Sequence, residues 1–230
     1  MPILFCADPH GDWGSLLTGA FRHNPEHVVL LGDMGLTEPL LQTLHTLHDR
    51  DIKVWWIHGN HDCHDVESWS NLFLNHPDGN LNGRAVTMAC RDGEMTVAGL
   101  GGHFKGRVWF PKSGNERPVY YSPDDFVANK PTETFRGGLP LFHRDTIFPS
   151  YVDSMKGLKA DILVCHEAPT SIPMQKGFGA IDDLARAIGV TMVIHGHHHF
   201  DYMGTTRDGI IVRGLGRGHT MFMASRAEDA

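Results

Sequence analysis

The alternation of short apolar runs with stretches of helical periodicity, in the first third of the chain, most limits the folds that this sequence can adopt. Apolar runs at residues 3–7, 28–31 and 53–58 are short enough to be buried strands. The stretches between them carry apolar residues three or four positions apart, as one face of a helix requires: Trp13, Leu16, Leu17, Ala20 and Phe21, then Leu40, Leu41, Leu44 and Leu47. We expect Asp12 to cap the first helix and Thr37 to cap the second. This order of elements predicts a parallel sheet with right-handed crossovers.

The second half of the chain continues the pattern. Residues 85–89 and 95–99, on either side of the sequence Arg91-Asp92-Gly93, predict a hairpin. Apolar runs predict further strands at residues 162–165, 191–194, 210–215 and 220–224. A short helix is expected between the first two of these strands, with one face formed by Ile181, Leu184, Ala185 and Ile188.

Residues 103–150 interrupt this regular pattern. They contain six of the thirteen prolines and little periodicity, apart from a short helix expected after Ser122-Pro123-Asp124. They also carry seven Lys and Arg against five Asp and Glu, whereas the whole chain has 20 against 27. A long irregular segment in a compact domain is usually functional or disordered. We therefore predict a cap or loop insertion here, which either contacts substrate or is a solvated surface excursion.

Composition limits the class of protein. The 230 residues, 41% hydrophobic and 20% charged, are typical of one folded domain, which we place at residues 1–230. A net charge of −7 argues against a general nucleic-acid binder. The four cysteines form no Cys-x-x-Cys pair, which favours reduced thiols in a cytoplasmic protein. The first residues lack the apolar core of a secretory signal, and no membrane partner is expected.

Polar clusters stand where five of the predicted strands end. They are Asp8-Pro9-His10-Gly11, Gly32-Asp33, Gly59-Asn60-His61-Asp62, His166, and Gly196-His197-His198-His199. The carboxyl ends of strands in α/β sheets meet at one edge, so these side chains are expected to converge. Asp8 and His10 are two residues apart, as are His197 and His199, so in an extended chain each pair faces one side. Carboxylate, imidazole and amide donors together suit Mn, Fe, Zn or Ni.

Each of these clusters is weak evidence by itself. An Asp-x-His sequence is common, Gly-Asp after a strand is usually a turn, and a histidine tract can lie on the surface. The five clusters together, each after an apolar run, favour a metal site over chance. Seven candidate ligands are too many for one tetrahedral ion and predict two ions that share a ligand.

This series of motifs, in this order over residues 8–199, resembles the calcineurin-like metallophosphoesterase superfamily. The resemblance implies a four-layer α/β/β/α sandwich with two facing mixed sheets. It also implies two divalent metal ions, with Mn²⁺ preferred and Fe, Zn or Ni as alternatives. One ion would be held by Asp8, His10 and His199, the other by Asn60, His166 and His197, and Asp33 would bridge them. His61 would be catalytic: it would not bind metal, but would protonate the leaving group or stabilise the phosphoryl oxygens.

The implied activity is hydrolysis of a phosphomonoester or phosphodiester, on a small molecule or a macromolecule, by a hydroxide that bridges the metals. A nucleotide pyrophosphatase, a dinucleoside polyphosphatase or a nuclease is the alternative, so nucleic acid stays open as a substrate. A remote alternative is a scaffold without catalysis, which is expected to lack ligands or the proton donor. Several arginines are candidates to grip a phosphate: Arg107, Arg117, Arg136, Arg144, Arg213 and Arg217.

One motif departs from part of the superfamily. Members that resemble the Ser/Thr protein phosphatases and the symmetrical dinucleoside tetraphosphatases carry Gly-Asp-x-x-Asp-Arg-Gly at the second motif. Here Leu36 and Thr37 replace the second Asp and the Arg. Because that Asp orients the catalytic histidine in those enzymes, the protein-phosphatase interpretation is weakened. Asp62, Asp65 and Glu38 are the alternatives for orienting His61.

Overall fold

The structure is a computed structural model that describes residues 2–91, 93–130, 134–173 and 176–224. Asp92 of the predicted hairpin turn and residues 131–133 of the predicted insertion lie outside the described residues. None of the helices in these ranges has the length and apolar character that crossing a membrane requires.

Within these described ranges, ten strands form two sheets. They are β1 (Ile3–Cys6), β2 (His27–Leu30), β3 (Lys53–Trp56), β4 (Ala85–Cys90), β5 (Gly93–Leu100), β6 (Ile162–Cys165), β7 (Met192–His195), β8 (Tyr202–Thr205), β9 (Ile211–Gly214) and β10 (Thr220–Met223). The first sheet has the order β10-β1-β2-β3 and the second the order β4-β5-β6-β7-β9-β8. In each sheet the central strands are parallel, and β10, β4 and β8 are antiparallel to their neighbours. Both sheets are therefore mixed.

Seven α-helices connect or follow these strands. They are α1 (Gly14–His23), α2 (Leu40–Thr43), α3 (His45–His48), α4 (Val66–Phe73), α5 (Pro123–Asn129), α6 (Pro149–Met155) and α7 (Gly179–Ile188). Two 3₁₀ helices, Pro77–Gly79 and Leu141–His143, complete the set in the described residues. Strand β8 and helices α4 and α6 were not predicted from the sequence.

Two of the helix predictions were wrong in detail. Residue Trp13, not Asp12, stands at the N-cap of α1, although Asp12 Oδ1 accepts a hydrogen bond from Gly14 N at 3.0 Å. The second predicted helix is two short helices, α2 and α3, which break at Leu44. The first of them begins at Leu40, with Pro39 and not Thr37 at its N-cap, because Pro39 is extended at ψ 136° and a proline disfavours helical conformation in the residue before it.

Three apolar clusters show the four-layer order. Alternate residues of β1, β2 and β3 point to opposite faces of the first sheet. One set packs on α1, α2 and α3, with Leu4, Val28, Leu30 and Trp56 against Leu16, Ala20, Leu40 and Leu47. The other set faces the second sheet, with Ile3, Phe5, Val29 and Leu31 against Val97, Ile162, Val164 and Ile194. The predicted α/β/β/α sandwich is confirmed.

The third cluster covers the outer face of the second sheet and includes much of the 103–150 segment. Strand residues such as Leu163 and Val193 pack there with Leu184 of α7 and with Val152 of α6. The segment contributes buried apolar side chains of its own: Phe104, Val108, Trp109, Phe126, Leu139, Ile147 and Phe148. The predicted insertion is therefore anchored in the core and is not a purely solvated excursion.

Candidate metal centre

The polar clusters of the sequence meet at one place, where strands of both sheets end. Asp8 follows β1, Asp33 follows β2 and Asn60 follows β3, all in the first sheet. His166 follows β6 and His197 follows β7, both in the second sheet. The centre therefore takes its side chains from the carboxyl ends of strands in both sheets. These side chains converge only while the two sheets remain packed against each other.

Five of the predicted site residues have left-handed backbone conformations: Asp8 (φ 46°), His10 (φ 46°), Asp33 (φ 52°), His197 (φ 68°) and His199 (φ 57°). The expectation that Asp8 and His10, or His197 and His199, lie in extended chain is therefore wrong. A non-glycine residue in this conformation costs about 1–3 kcal/mol, and such residues cluster at functional sites. These left-handed turns direct the side chains toward the centre, whereas an extended backbone would not bring them together.

Two glycines allow the clusters to approach one another. A Cβ on Gly59 would overlap Asp33 Oδ1 and stand 2.6 Å from Cε1 of His166. A Cβ on Gly196 would stand 2.7 Å from Asp8 Oδ1. Both distances are shorter than real Cβ contacts, so these positions require the absence of a side chain.

The Asp33 carboxylate is at the middle of the centre. Its Oδ1 accepts a hydrogen bond from His61 N at 2.8 Å. Its Oδ2 lies 3.5 Å from His166 Nε2, 3.7 Å from His10 Nε2 and 3.9 Å from His61 Nε2. One carboxylate oxygen thus faces three imidazole nitrogens, which is the arrangement expected of a ligand shared between two cations.

The first group of candidate ligands contains His10, Asp33 and His199. The Nε2 atoms of His10 and His199 are 3.1 Å apart, and His199 Nε2 is 3.8 Å from Asp8 Oδ2. The side chain of His199 is 41% exposed and that of His10 is 18% exposed. This group is the solvent-facing side of the centre.

The second group contains Asp33, His166 and His197, and it is deeper. The side chain of His166 is fully buried. Its Nδ1 donates a hydrogen bond to Leu31 O at 2.8 Å, so Nε2 is the nitrogen that faces the centre and would coordinate a metal ion on losing its proton. That Nε2 is 3.0 Å from Asn60 Oδ1. The ring of His197 lies beside it, at a centroid distance of 4.9 Å.

Asp8 has a buried carboxylate oxygen that no hydrogen bond satisfies among the described residues. Its Oδ2 accepts a hydrogen bond from His197 N at 2.7 Å, whereas its buried Oδ1 has no hydrogen-bond partner among the described residues. A buried carboxylate oxygen without a partner is costly unless a cation or a proton satisfies it. Oδ1 is therefore suited to bind a metal ion.

The electrostatics of the centre favour positive charge. Burial raises the pKa of Asp8 to about 7. Although burial opposes it, the charges of Asp33 and Asp8 raise the pKa of His166 to about 10. Burial lowers the pKa of His10 and of His199, so these two imidazoles are neutral and free to coordinate. Buried carboxylates among neutral imidazoles form a donor set suited to divalent metals.

His61 lies at the rim of the centre. Its side chain is 50% exposed, and its ring lies 5.3 Å from that of His10 and 4.7 Å from that of His64. In the described residues, the carboxylate of Asp33 is the only one within 4 Å of its ring nitrogens. This position suits a group that meets a substrate from the solvent side.

The alternatives for orienting His61 have other roles. The buried Asp62 carboxylate accepts hydrogen bonds from Asp33 N, Met34 N and Gly59 N, at 2.9, 2.8 and 2.7 Å. Asp62 thus joins the loop after β2 to the loop after β3. Asp65 caps α4 by accepting from Ser68 N at 2.8 Å. Glu38 has no contact with His61 among the described residues.

Sequence reasoning missed a third group, formed by Glu167, His197 and His198. Glu167 is buried, accepts a hydrogen bond from Phe104 N at 3.3 Å, and burial raises its pKa to about 7. His198 stands between His197 and His199, so in an extended chain its side chain would face away from theirs. The adjacent charged pair His166-Glu167, directly after an apolar strand, was the signal that could have drawn attention to Glu167.

Comparisons with known proteins agree with this geometry. The family model described as calcineurin-like phosphoesterase matches residues 1–201. An uncharacterized protein of Haemophilus influenzae is 36% identical over 207 residues, which cover 89% of this chain and 86% of that protein. The resemblance seen in the sequence is confirmed.

Solved structures share the fold at low sequence identity. TT1561 of Thermus thermophilus is 15% identical with a TM-score of 0.59, and the alignment covers 94% of this chain and 88% of that chain. The phosphopantetheinyl hydrolase of Mycobacterium tuberculosis is 14% identical with a TM-score of 0.58, and the alignment covers 100% of this chain and 98% of that chain. A dimetal phosphatase of Danio rerio is 12% identical with a TM-score of 0.58, and the alignment covers 98% of this chain and 93% of that chain. At these identities the likeness shows a common architecture.

Proposed function

This chain belongs to the calcineurin-like phosphoesterase family, whose members are metal-dependent phosphoester hydrolases, and from that premise we propose how its own residues carry out the reaction. Asp8, His10 and His199 hold one divalent ion. Asn60, His166 and His197 hold a second, and Asp33 is shared. The ions are Mn²⁺ by preference, with Fe, Zn or Ni as alternatives, because the donors are mixed carboxylate, imidazole and amide.

The observation that carries this proposal is the surroundings of Asp33 Oδ2, which faces three imidazole nitrogens at 3.5–3.9 Å. The buried Asp8 Oδ1, with no hydrogen-bond partner among the described residues, adds a second oxygen that a cation would satisfy. The hydrogen bond from His166 Nδ1 to Leu31 O leaves Nε2 to face the centre, where a bound cation would replace its proton. These features fit two cations better than one.

When bound, two cations of this kind neutralise charge on the phosphoryl oxygens and lower the pKa of a water molecule toward neutrality. The substrate reaches the centre from the side of His199 and His61, because those side chains are exposed whereas His166 is fully buried. His61 Nε2, which faces Asp33, holds a proton for the leaving oxygen or a hydrogen bond for a phosphoryl oxygen. Asp33 Oδ1 fixes the backbone of His61 through its N–H, so the shared ligand also positions the acid.

Phosphomonoesters and phosphodiesters are both proposed substrates, and a nucleotide pyrophosphatase or nuclease activity is the alternative. The scaffold interpretation is disfavoured, because all seven proposed ligands and His61 are present and each lies within 4 Å of another of them or in one group of candidate ligands with it. A single domain and a reducing cytoplasmic location stay proposals. The proposed location draws support from Cys6, Cys63 and Cys165, which form no disulfide among the described residues.

The test uses metal-stripped protein reloaded with Mn²⁺, assayed with p-nitrophenyl phosphate and bis(p-nitrophenyl) phosphate. Hydrolysis of at least one ester is expected, and hydrolysis of neither contradicts the proposal. His61→Ala should lower kcat by about 10²–10⁴-fold while the metal content stays that of the wild type. Loss of metal from that variant would instead make His61 a ligand. His48→Ala, a histidine of α3 away from the centre, is the matched control.

A further inference from the structure

The 103–150 segment encloses a cavity of about 610 Å³ beside the metal centre, which the proposed chemistry does not use. Lys105, Arg107, Phe142 and His143 are among the residues that line it, together with His103. The ring of His103 is 6.5 Å from that of His197, and the ring of Phe142 is 6.3 Å from that of His64. Since His64 lies next to His61, the cavity begins at the rim of the centre, where an ester group of a bound substrate would extend.

A second cavity, of about 350 Å³, continues away from the centre. It shares Arg107 and His143 with the first and is also lined by Lys130, Phe126 and Val119. We call the two cavities together the insertion groove. Because they share two lining residues, the two cavities adjoin and can hold part of a substrate beyond its scissile phosphate.

The insertion groove is cationic in an acidic protein. No Asp or Glu lines either cavity in the part of the chain that the structure describes, although the whole chain has a net charge of −7. The charge of Lys105 is already paired, because its Nζ lies 2.7 Å from Asp145 Oδ1. Arg107 and Lys130 are exposed, and their side chains make no ion pair with the described residues. Cations grouped in a groove attract anionic ligands and raise their local concentration.

The same groove offers an aromatic surface. Phe142 is 59% exposed, so its ring is open to a ligand in the first cavity. Lys105 Nζ lies 3.6 Å from the centre of its ring and holds it in place. An exposed, positioned aromatic ring next to cations is the combination with which proteins bind nucleotide bases together with their phosphates.

We propose that the insertion groove binds a nucleotide ester that carries a second phosphate beyond the scissile one. Its base stacks on Phe142, and its second phosphate binds Arg107, with Lys130 further along the groove. This inference rests on the proposed function, since it names the substrate class of the same centre. A free nucleotide and the end of an oligonucleotide share this chemistry.

The test compares three p-nitrophenyl phosphodiesters that have the same leaving group. Methyl p-nitrophenyl phosphate lacks the nucleoside, thymidine 5′-(p-nitrophenyl phosphate) adds it, and the 3′-phosphate of that ester adds the second phosphate. With Mn²⁺-loaded protein, we expect kcat/KM to rise about tenfold with the base and about tenfold again with the second phosphate. An eight-nucleotide oligothymidylate as competitor separates the two sources: inhibition no stronger than that by thymidine 3′,5′-bisphosphate identifies the free nucleotide.

Two variants assign these steps to residues. Phe142→Ala should remove most of the gain from the base, and Arg107→Gln should bring the ratio between the two thymidine esters to about one. Arg117→Gln is the matched control, since Arg117 is an exposed arginine of the same segment that lines neither cavity, and it should preserve both ratios. Equal kcat/KM for all three esters in the wild type, or an unchanged ratio in Arg107→Gln, overturns the inference.

A binding measurement separates this inference from the proposed function. Calorimetric titration of the metal-stripped protein with thymidine 5′-monophosphate and thymidine 3′,5′-bisphosphate gives Kd values without turnover, because the proposed hydrolysis requires the metal ions. If none of the esters is hydrolysed but the bisphosphate binds about tenfold more tightly in an Arg107-dependent way, the proposed function fails and the groove is supported. If the esters are hydrolysed and the two Kd values are equal, the groove inference fails alone.

Discussion

Replacement of Asp62 by Asn tests whether this residue joins the two loops that carry Asp33 and Asn60. The Asp62 carboxylate accepts three backbone hydrogen bonds, two at Oδ2 and one at Oδ1. An asparagine side chain has one carbonyl oxygen, so at least one of the N–H groups would face an amide donor instead of an acceptor. The carbon skeleton and volume are unchanged, so the effect is confined to these bonds.

The magnitude follows from the count of bonds. A hydrogen bond to a charged group contributes about 1.5–3 kcal/mol, and at least one is lost. Burial and the Asp33 charge raise the pKa of Asp62 to about 6, so removal of its negative charge offsets part of that loss. We expect the free energy of unfolding to fall by about 2 kcal/mol, which for this chain length lowers Tm by about 4–8 °C. Affinity for Mn²⁺ should fall about 10–100-fold, as for other residues that hold metal ligands in place.

The assay combines urea unfolding of the metal-free protein with metal titration, and it uses Asp65→Asn as control. Asp65 caps α4, and Asn is an equally good cap, so that variant should match the wild type. Wild-type stability and metal affinity in Asp62→Asn would refute the reasoning. A drop in kcat alone, with stability and metal binding intact, would show that Asp62 acts on His61.

Two further predictions concern packing and pH. Gly59→Ala should lower Mn²⁺ affinity at least tenfold and the free energy of unfolding by about 1–3 kcal/mol, because the new Cβ would displace Asp33 and His166. Gly157→Ala, which has open space around it, is the control and should change neither quantity. Wild-type metal binding in Gly59→Ala would contradict the close approach. Burial lowers the pKa of His195 from 6.5 to about 3, and its Nε2 accepts from the Tyr202 hydroxyl at 2.7 Å. Because the folded pKa is the lower one, the stability that His195 contributes is present above pH 6.5 and is lost as the pH falls toward 3. Between pH 7.5 and pH 5, the free energy of unfolding of the metal-free wild type, measured with urea, should therefore fall by about 2 kcal/mol more than that of His195→Gln. Equal decreases in the two proteins would refute a buried neutral His195.

Much of the fold could be predicted from periodicity. The parallel order of β1, β2 and β3 and the hairpin of β4 and β5 follow from apolar runs separated by helical or turn sequences. Strand β8 was missed because its residues alternate between half-buried and exposed at the edge of the sheet, without a continuous apolar run. The break at Leu44 was missed because one apolar stripe continues through α2 and α3.

The sequence predicted which residues form the candidate site, but it did not predict their backbone conformations. Strand ends indicate which side chains converge, because the sheet brings those ends together. They do not show the left-handed turns at Asp8 and His197, which depend on contacts between the two sheets. The role of Asp62 and the pairing of Lys105 with Asp145 join residues far apart in sequence, so no local pattern records them.

The number of Mn²⁺ ions bound per chain tests the central claim most directly. Metal-stripped protein, reloaded and dialysed, should contain two ions per chain by elemental analysis, with an electron paramagnetic resonance spectrum showing two exchange-coupled ions. His10→Ala and His166→Ala should each retain about one ion, without coupling, because each removes a ligand from one group only. One ion per chain in the wild type, or two coupled ions in both variants, would contradict a centre of two cations that share Asp33.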